Sequence, residues 1–195
     1  MIDSVPAMPE EETSAIEIVR YGHPVLRQQA ARVGRVTDDV RALVARMTDV
    51  MRRANGLGLA ANQVGVPRRV AVVEIDGKVI PLVDPEIVSA KGSEPGEEGC
   101  LSLPRLYGQV ARPTRVVVRA RDLSGKRIKL RAEGLLARAL LHEIDHLNGQ
   151  LFVDRADPST LHWSIRTGEN DEVIVQPTSL EDALKVFTSA RRGEG

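Results

Sequence analysis

The sequence predicts an α+β fold in which mixed or antiparallel strands pack around a central buried helix that carries the segment HEIDH. Two pairs of β-rich segments each flank a tight-turn sequence, as the strands of antiparallel hairpins do. One strongly apolar helical segment follows them, instead of the regular alternation of strands and helices that a parallel sheet requires. We therefore expect strands with a buried helix among them and not a βαβ architecture.

The individual elements follow from local patterns. Apolar residues recur at helical spacing from Asp38 to Arg53, behind candidate N-cap residues, which predicts an amphipathic helix. Hairpins are expected around Asp76-Gly77 and Ser124-Gly125, because β-branched or alternating segments lie on both sides of each pair. The remaining predicted elements are the central helix between Glu133-Gly134 and Asn148-Gly149, a short strand EVIVQP and a final helix SLEDALKVFTSA.

The chain divides into three regions. Residues 1–14 are rich in Pro, Glu and Ser and have little apolar surface to bury, so we expect a mobile N-terminal arm. Residues 15–154 contain most of the predicted elements and form the main domain. Residues 155–195 form a C-terminal extension, a strand plus a helix, that packs on the main domain or follows it.

Composition limits the classes of function. A chain of 195 residues with 42% hydrophobic content is long enough to form one domain with its own core. Its 27 basic and 27 acidic residues balance, which favours a small or neutral partner over sequence-specific nucleic acid. No apolar run approaches the roughly 18 residues of a membrane span. A single cysteine and an N-terminus without a signal-peptide pattern favour the cytoplasm.

The central helix carries ionisable residues among leucines, although a buried charge is costly unless it is paired, neutralised or bound to metal. His142 and His146 are four residues apart, so both imidazoles lie on one side of the helix, and Glu143 can reach a metal-bound water. The H-E-x-x-H pattern therefore predicts a catalytic metal site. The alternative is a pair of hydrogen-bonded core histidines with the neighbouring carboxylates in a salt-bridge network.

A tetrahedral catalytic site needs a third protein ligand and one open position. The extended metzincin pattern would place a histidine where this chain has Phe152, and neither His23 nor His162 has a matching spacing. Glu169 is a further possibility, but it lies in a segment expected to be an exposed turn. Cys100, in the segment GEEGCLSLP, is the best candidate, because its flanking residues look too polar for a simple core cysteine. The alternative is that it is a small buried side chain.

The glycine-rich segment GLGLAANQ is the third unusual feature. It follows no predicted strand and opens no helix, so a dinucleotide-binding or P-loop interpretation fails. Close approach of the backbone to a ligand remains, with the amide of Gln63 able to donate a hydrogen bond to a developing oxyanion. The alternative is a flexible turn between the first helix and the hairpin.

Taken together, GLGLAANQ, EEGCLSLP and LHEIDHLNG resemble the bacterial-type peptide deformylases. The resemblance runs from about Ile16 to Asp154, which makes residues 15–154 the catalytic domain. It implies that a divalent metal is held by three residues, with a fourth as general base and acid, and that further groups stabilise the oxyanion and offer backbone to the peptide. The metal ligands would be Cys100, His142 and His146, and the general base and acid would be Glu143. Gln63 and the backbone N–H of Leu101 would stabilise the oxyanion. Gly58 would offer its backbone to the peptide.

The resemblance also implies an activity, a cofactor and partners. The activity is hydrolysis of the formyl group from the N-terminal formyl-methionine of newly synthesised peptides, with release of formate. The metal is usually Fe(II), which zinc, nickel or cobalt can replace, and spacing alone does not choose among them. The partners are N-formyl-methionyl nascent peptides and, near the exit tunnel, the ribosome, with no membrane and no sequence-specific nucleic acid.

For the methionine pocket we expect Leu57, Leu135 and the alkyl stem of Arg138, although all three could equally be ordinary core residues. Two positions depart from the pattern of the family. Leu141 precedes the first histidine where many members have glutamine, and Tyr107 stands where some carry an arginine. These departures concern the substrate pocket more than the chemistry.

A buried charge network of Glu98, Arg112 and Asp145 is expected to orient the site. Two rival functions remain open from the residues alone. One is a zinc endopeptidase, which shares H-E-x-x-H. The other is a metal-stabilised binding module, in which four protein ligands close off the ion.

Overall fold

Two antiparallel sheets and three α helices form the part of the chain that the computed structural model describes, residues 16–167 and 172–190. The predicted α+β class is confirmed. The predicted N-terminal arm lies outside the described residues. Within them, no helix combines the length and the apolar character that crossing a bilayer demands.

The first helix, α1 (Asp38–Arg53), forms where the apolar spacing predicts it. Acidic residues occupy its first turn and arginines its last turn, which matches the direction of the helix dipole. Its apolar stripe is buried against strands β1 (Gly58–Ala60) and β2 (Val70–Ile75) in one of the main core clusters. The residues of that stripe are Val40, Leu43, Val44, Met47, Val50 and Met51.

The five-stranded sheet contains both predicted hairpins. At the first turn Asp76 and Gly77 both have positive φ, 51° and 72°, as a two-residue hairpin of matching twist requires. The strands, in spatial order, are β1 (Gly58–Ala60), β2 (Val70–Ile75), β3 (Lys78–Lys91), β6 (Arg115–Arg121) and β7 (Arg127–Glu133).

The second sheet has four strands, of which the sequence predicts only the last. In spatial order they are β4 (Glu94–Cys100), β5 (Leu103–Arg112), β8 (His162–Thr167) and β9 (Glu172–Pro177). β4 lacks an alternating apolar pattern because two of its positions are glycines that leave room for other side chains. A Cβ on Gly96 would lie 2.6 Å from the guanidinium of Arg138, and one on Gly99 would lie 2.6 Å from the ring of Tyr107.

The central helix, α2 (Gly134–Leu147), follows β7 directly. From Ala137 to Leu147 almost every residue is buried, as its composition predicts. The first turn is different, because Leu135 is 54% exposed at the mouth of a cavity. At the other end, the carbonyl of Leu147 accepts hydrogen bonds from Ala30 N at 2.9 Å and from Arg69 Nη1 at 3.4 Å. The C-terminal end of α2 is therefore held by the segments that carry Ala30 and Arg69.

The C-terminal extension joins the second sheet and packs on the main domain. β8 pairs with β5 through Leu106↔Trp163 and Tyr107↔His162, and β9 then pairs with β8. The final helix, α3 (Leu180–Ala190), places the ring of Phe187 against Tyr21 and Trp163, with centroids 6.2 and 5.6 Å apart. The extension thus covers the outer edge of β5.

We predict that Leu140→Ala lowers the free energy of unfolding by about 2–5 kcal/mol, because it removes a fully buried side chain from the α2 core. Leu135→Ala, on the same helix but half exposed, is the matched control and should change it by about 0.5 kcal/mol or less. Urea unfolding of the two variants measures the difference. Equal losses would contradict the burial pattern of α2.

Candidate metal centre

Three side chains converge on one point where α2 meets the end of β4. The sulfur of Cys100 and one ring nitrogen from each of His142 and His146 lie within 4.8 Å of one another. The Cys100 sulfur is 3.2 Å from Nε2 of His146, and the two imidazole rings lie edge to face with centroids 4.9 Å apart. Cys100 is 8% exposed, so the expectation that its polar neighbours expose it is wrong. Its acidic neighbour Glu98 is buried as well, in contact with His142.

Local structure explains this convergence. The i, i+4 spacing stacks the two histidines on the face of α2 that is turned toward the second sheet. On the other side, the pairing of β4 with β5 changes register between Gly99 and Cys100. Such an irregularity redirects a side chain at the end of a strand, here toward the helix.

A buried ion-pair network holds His142 in one orientation. Nδ1 of His142 lies 2.9 Å from Oε2 of Glu98, which leaves the other ring nitrogen for the centre. Arg112 donates to both oxygens of Glu98, at 2.8 and 2.9 Å, and Arg138 Nη1 donates to Oε1 at 2.9 Å. Burial alone would raise the pKa of Glu98, but the hydrogen bonds from Arg112 and His142 outweigh burial and lower it to about 2.

The same Arg112 also binds Asp145, on the buried side of α2. Asp145 accepts two further hydrogen bonds from Arg155, at 2.7 and 2.9 Å. The expected network of Glu98, Arg112 and Asp145 is therefore present, and Arg138 and Arg155 extend it. It ties β4, β5 and α2 together beside the candidate ligands.

Glu143 lies between the histidines in sequence and is 3% exposed. Burial raises the pKa of its carboxyl to about 7, and the carboxylate of Glu98 acts in the same direction. Its Oε2 is a buried oxygen without a hydrogen-bond partner, and Nδ1 of His146 is likewise unpartnered. Buried polar atoms are nearly always satisfied in native proteins. An unpartnered carboxylate oxygen beside three converging ligand atoms fits a centre built to hold an ion and a water molecule.

Burial lowers the pKa of His146 well below its ordinary value, and the neighbouring His142 and Arg112 lower it further. The neutral imidazole is the form that binds metal ions. The donor set of one thiol and two imidazoles, with a soft sulfur, suits zinc or iron. The residues present therefore fit a divalent transition metal.

Gln63 and Leu101 lie at the edge of the centre. The side-chain oxygen of Gln63 accepts from Ala60 N at 2.9 Å, which turns its Nε2 toward Cys100 Sγ at 3.5 Å and Ser102 Oγ at 3.4 Å. Leu101 follows the cysteine directly, and its carbonyl accepts from Arg20 at 2.7 Å. The Gln63 amide is thus held as a donor beside the thiol.

A cavity of about 510 Å³ opens over the centre. All four residues predicted to contact substrate line it, namely Leu57, Gly58, Leu135 and Arg138, together with Gln63, Cys100, Leu101, His142 and Glu143. Leu57 and Leu135 are 49% and 54% exposed, so they are wall residues of an open cavity and not ordinary core. His146 does not line the cavity, because it lies beneath Cys100 and His142.

The guanidinium of Arg138 has more partners than the sequence indicates. Besides Glu98, it donates to the carbonyls of Glu94, Gly96 and Val110 at 2.8 to 3.2 Å. Arg138 therefore anchors β4 and β5 to α2. Its predicted role in a methionine pocket is limited to the parts of the side chain that face the cavity.

Sequence reasoning missed several cavity residues, among them Arg20, Arg105 and Glu97. Arg20 reaches a carbonyl 81 positions away, which no local pattern predicts. Arg105 has a positive φ of 67°, a conformation that is uncommon for residues other than glycine and that the sequence does not predict here. Tyr107, noted only as a departure, also lines the cavity and covers Gly99.

A thiol and two imidazoles around an open cavity, with a buried carboxylate alongside, define the class of metal-dependent hydrolases. The sequence model of the polypeptide deformylase family matches residues 15–162. The peptide deformylase of Thermomicrobium roseum is 49% identical over 156 residues, covering 75% of this chain and 89% of that protein. That of Desulforudis audaxviator is 47% identical, covering 73% and 94%. The chain belongs to the polypeptide deformylase family.

Solved structures agree with this assignment. The peptide deformylase of Synechococcus elongatus, crystallised with actinonin, has a TM-score of 0.71 at 41% identity and covers 73% of this chain and 80% of that one. A plant peptide deformylase has a TM-score of 0.77 at 31% identity and covers 98% and 96%. The chain is thus a hydrolase that removes the formyl group from the N-terminus of nascent peptides, in a family that depends on a metal.

We predict that Cys100→Ala weakens metal binding by at least tenfold, because it removes one of three converging donors. Glu143→Ala is the matched control: it removes a neighbouring buried side chain but no donor, and should keep wild-type affinity. Titration of the metal-free proteins with Co²⁺, followed by absorbance, compares them. Wild-type affinity in the cysteine variant would place the third ligand elsewhere.

Proposed function

We propose that Cys100, His142 and His146 hold an Fe²⁺ ion and that Glu143 is the general base and acid of the deformylation reaction. The observation that supports this most directly is the convergence of the three ligand atoms within 4.8 Å beside a buried carboxylate with an unpartnered oxygen. Zinc, nickel or cobalt can replace iron in such a donor set. When bound, the ion supplies an acidified water and polarises the formyl carbonyl.

Glu143 moves the proton in this scheme. Its carboxylate takes a proton from the attacking water and returns it to the nitrogen that leaves when the formyl carbon–nitrogen bond breaks. The carboxylate lies directly against Gly58, where an added Cβ would be 2.3 Å from Oε1. The glycine therefore lets the substrate and the catalytic carboxylate share a narrow space.

Gln63 and the backbone N–H of Leu101 are proposed to stabilise the oxyanion that forms on the formyl oxygen. The bond from Ala60 N to Oε1 of Gln63 fixes the amide so that Nε2 faces the centre before substrate binds. Donors that are already oriented cost no reorganisation during the reaction. Ser102 and Cys100 restrain the same amide from the other side.

The peptide is proposed to lie along β1 and the cavity walls. β1 is the edge strand of the five-stranded sheet, so Gly58 can offer backbone hydrogen bonds to an extended peptide. Leu57, Leu135 and the cavity-facing part of Arg138 are proposed to receive the methionine side chain. The apolar side chains at the mouth favour an apolar first residue.

Two rivals are less well supported. A binding module closed by four ligands needs a fourth donor, whereas the group among residues 16–167 and 172–190 contains three. A zinc endopeptidase would cleave unblocked proteins, and casein digestion tests for it directly. Formate release without casein cleavage supports the deformylase.

We further propose that residues 15–154 form the catalytic domain, that residues 155–195 are an extension that completes its second sheet, and that the enzyme works in the cytoplasm. There it would meet nascent N-formyl-methionyl peptides near the exit tunnel of the ribosome. Co-sedimentation with translating ribosomes at physiological salt tests this location. Absence of the protein from the ribosomal fraction would indicate that the enzyme acts on peptides in free solution.

We predict that formyl-Met peptides are cleaved at least a hundredfold faster, by kcat/KM, than the matched acetyl-Met peptides. A formyl carbon carries only hydrogen, and Glu143 lies so close to Gly58 that we expect the methyl of an acetyl group to displace the carbonyl from the attack position. Displacement by about 1 Å from the attack geometry costs on the order of a hundredfold in rate. Release of formate and of acetate measures the two rates. In the same assay, the Glu143→Ala variant should retain its metal but lose at least a hundredfold in kcat, because it lacks the general base. Comparable rates on both substrates would indicate a general amidase.

Metal identity makes a separate prediction. The iron-loaded enzyme should lose activity in air and keep it under nitrogen, whereas the nickel-loaded or cobalt-loaded enzyme should survive in air, because a thiolate beside a redox-active metal is open to oxidation. Activity half-lives of the three metal forms with and without oxygen decide this. Equal half-lives in air would argue against iron.

A further inference from the structure

The face of the five-stranded sheet that is turned away from α2 is strongly cationic. Six basic side chains lie on its two neighbouring strands, β6 and β7, and we name this surface the cationic face. It consists of Arg115, Arg119, Arg121, Arg127, Lys129 and Arg131. Lys91 of β3 continues it, since it pairs with Arg115.

Strand register places these residues on one side. Residues directly opposite each other in an antiparallel pair share a face, and Arg119↔Lys129 and Arg121↔Arg127 are such pairs. The alternate residues of β6, Val116, Val118 and Ala120, are buried against α2. The cations therefore face away from the core.

Like charges directly opposite each other destabilise a sheet. The six residues nevertheless form two such pairs, Lys91 and Arg115 form a third, and few carboxylates offset them. Glu86 of β3 contacts Arg119 at 3.6 Å but also pairs with Arg32, and Glu133 lies opposite Arg115. Because the whole chain has 27 basic and 27 acidic residues, this concentration of charge is a local feature that the net charge conceals.

Two hollows open on this side of the sheet. The first, of about 290 Å³, is lined by four arginines and two carboxylates, Arg32, Arg119, Arg121 and Arg127 with Asp84 and Glu86. The second, of about 420 Å³, is lined by three basic residues and one carboxylate, Lys91, Arg115 and Arg131 with Glu133. Guanidinium groups bind phosphate oxygens through paired, charge-assisted hydrogen bonds. Each hollow thus offers several cationic donors to a protruding anionic group.

We propose that the cationic face binds the phosphate backbone of double-helical RNA without sequence preference. Alternate residues of a strand are roughly 6.6 Å apart, so the cations of β6 extend over roughly 20 Å and match a ligand with repeated charges. No aromatic side chain lies on β6 or β7, so the face lacks the stacking surface that single strands use. Recognition through backbone and shape is typical of double-helical RNA.

This surface is separate from the catalytic centre. None of its six residues lines the cavity over Cys100, which lies on the α2 side of the sheet. Bound RNA would therefore leave the cavity open to peptide. Binding of RNA and deformylation can also fail independently in experiment.

The experiment is fluorescence anisotropy with a labelled RNA hairpin of about 20 base pairs, on the metal-loaded full-length protein, across a range of salt concentrations. The test variant is Arg127→Thr, Lys129→Thr and Arg131→Thr together, because threonine suits a strand. The matched control is Arg35→Ala, Arg46→Ala and Arg53→Ala, which removes the same charge from exposed arginines elsewhere.

We expect the test variant to lose at least tenfold in affinity and to lower the slope of log K against log salt by about three, one for each lost contact. Lys129→Thr alone should lower the slope by about one. The control should bind as the wild type does. All variants should release formate from formyl-Met peptide at the wild-type rate, which shows that they are folded.

Three results would overturn the proposal. The first is an unchanged slope in both the triple and the single variant. The second is an equal loss in the control, which would reduce the effect to net charge. The third is tighter binding to phosphatidylglycerol vesicles than to the hairpin at the same salt, which would assign the face to a membrane surface.

Discussion

The buried guanidinium of Arg112 is the contact on which the geometry of the candidate metal centre depends. Its side chain is 4% exposed, and it binds Glu98 on β4 and Asp145 on α2 while itself lying on β5. Three elements distant in sequence are thereby held at one point. Removal of one partner from such a buried pair costs about 3–5 kcal/mol, because the remaining charge is left in the core.

The partners of Arg112 in turn orient the candidate metal ligands. Glu98 remains ionised because hydrogen bonds from Arg112 and His142 lower its pKa, and it fixes the ring of His142 through Nδ1. Asp145 holds the buried side of α2, where His146 lies one residue further along the helix. Cys100 lies at the end of β4, the same strand that carries Glu98. The centre is therefore rigid before any ion binds, which suits a site that needs fixed geometry.

Much of this could be predicted from the sequence, because the informative signals are local. The helical spacing behind Asp38, the turn at Asp76-Gly77 and the H-E-x-x-H pattern each lie within a few residues of one another. β4 and β8 could not be predicted. The sequence of β4 is shaped by Arg138, for which Gly96 leaves room. β8 is defined by a partner strand far earlier in the chain, as in the pair Leu106↔Trp163, whose members are 57 positions apart. The contact of Arg20 with Leu101 could not be predicted either, because the two residues are far apart in the sequence.

The charge pattern shows a different limit. The 27 basic and 27 acidic residues make the chain neutral, which favours a small or neutral partner. The alternation of Arg and Lys in β6 and β7 was visible in the same sequence, but only the register of the sheet shows that the two rows lie on one face. A total says nothing about how charge is arranged in space.

The pairing of β8 with β5 has a consequence for the order in which the protein is made. When synthesis has reached the end of α2, every residue of the centre exists, but the strand that covers β5 does not. Until β8 emerges, β5 presents an open strand edge with buried-type residues such as Leu106 and Val110 nearby, which favours pairing with other chains. The edge of β5 is thus protected only by a strand that is made after every residue of the candidate centre.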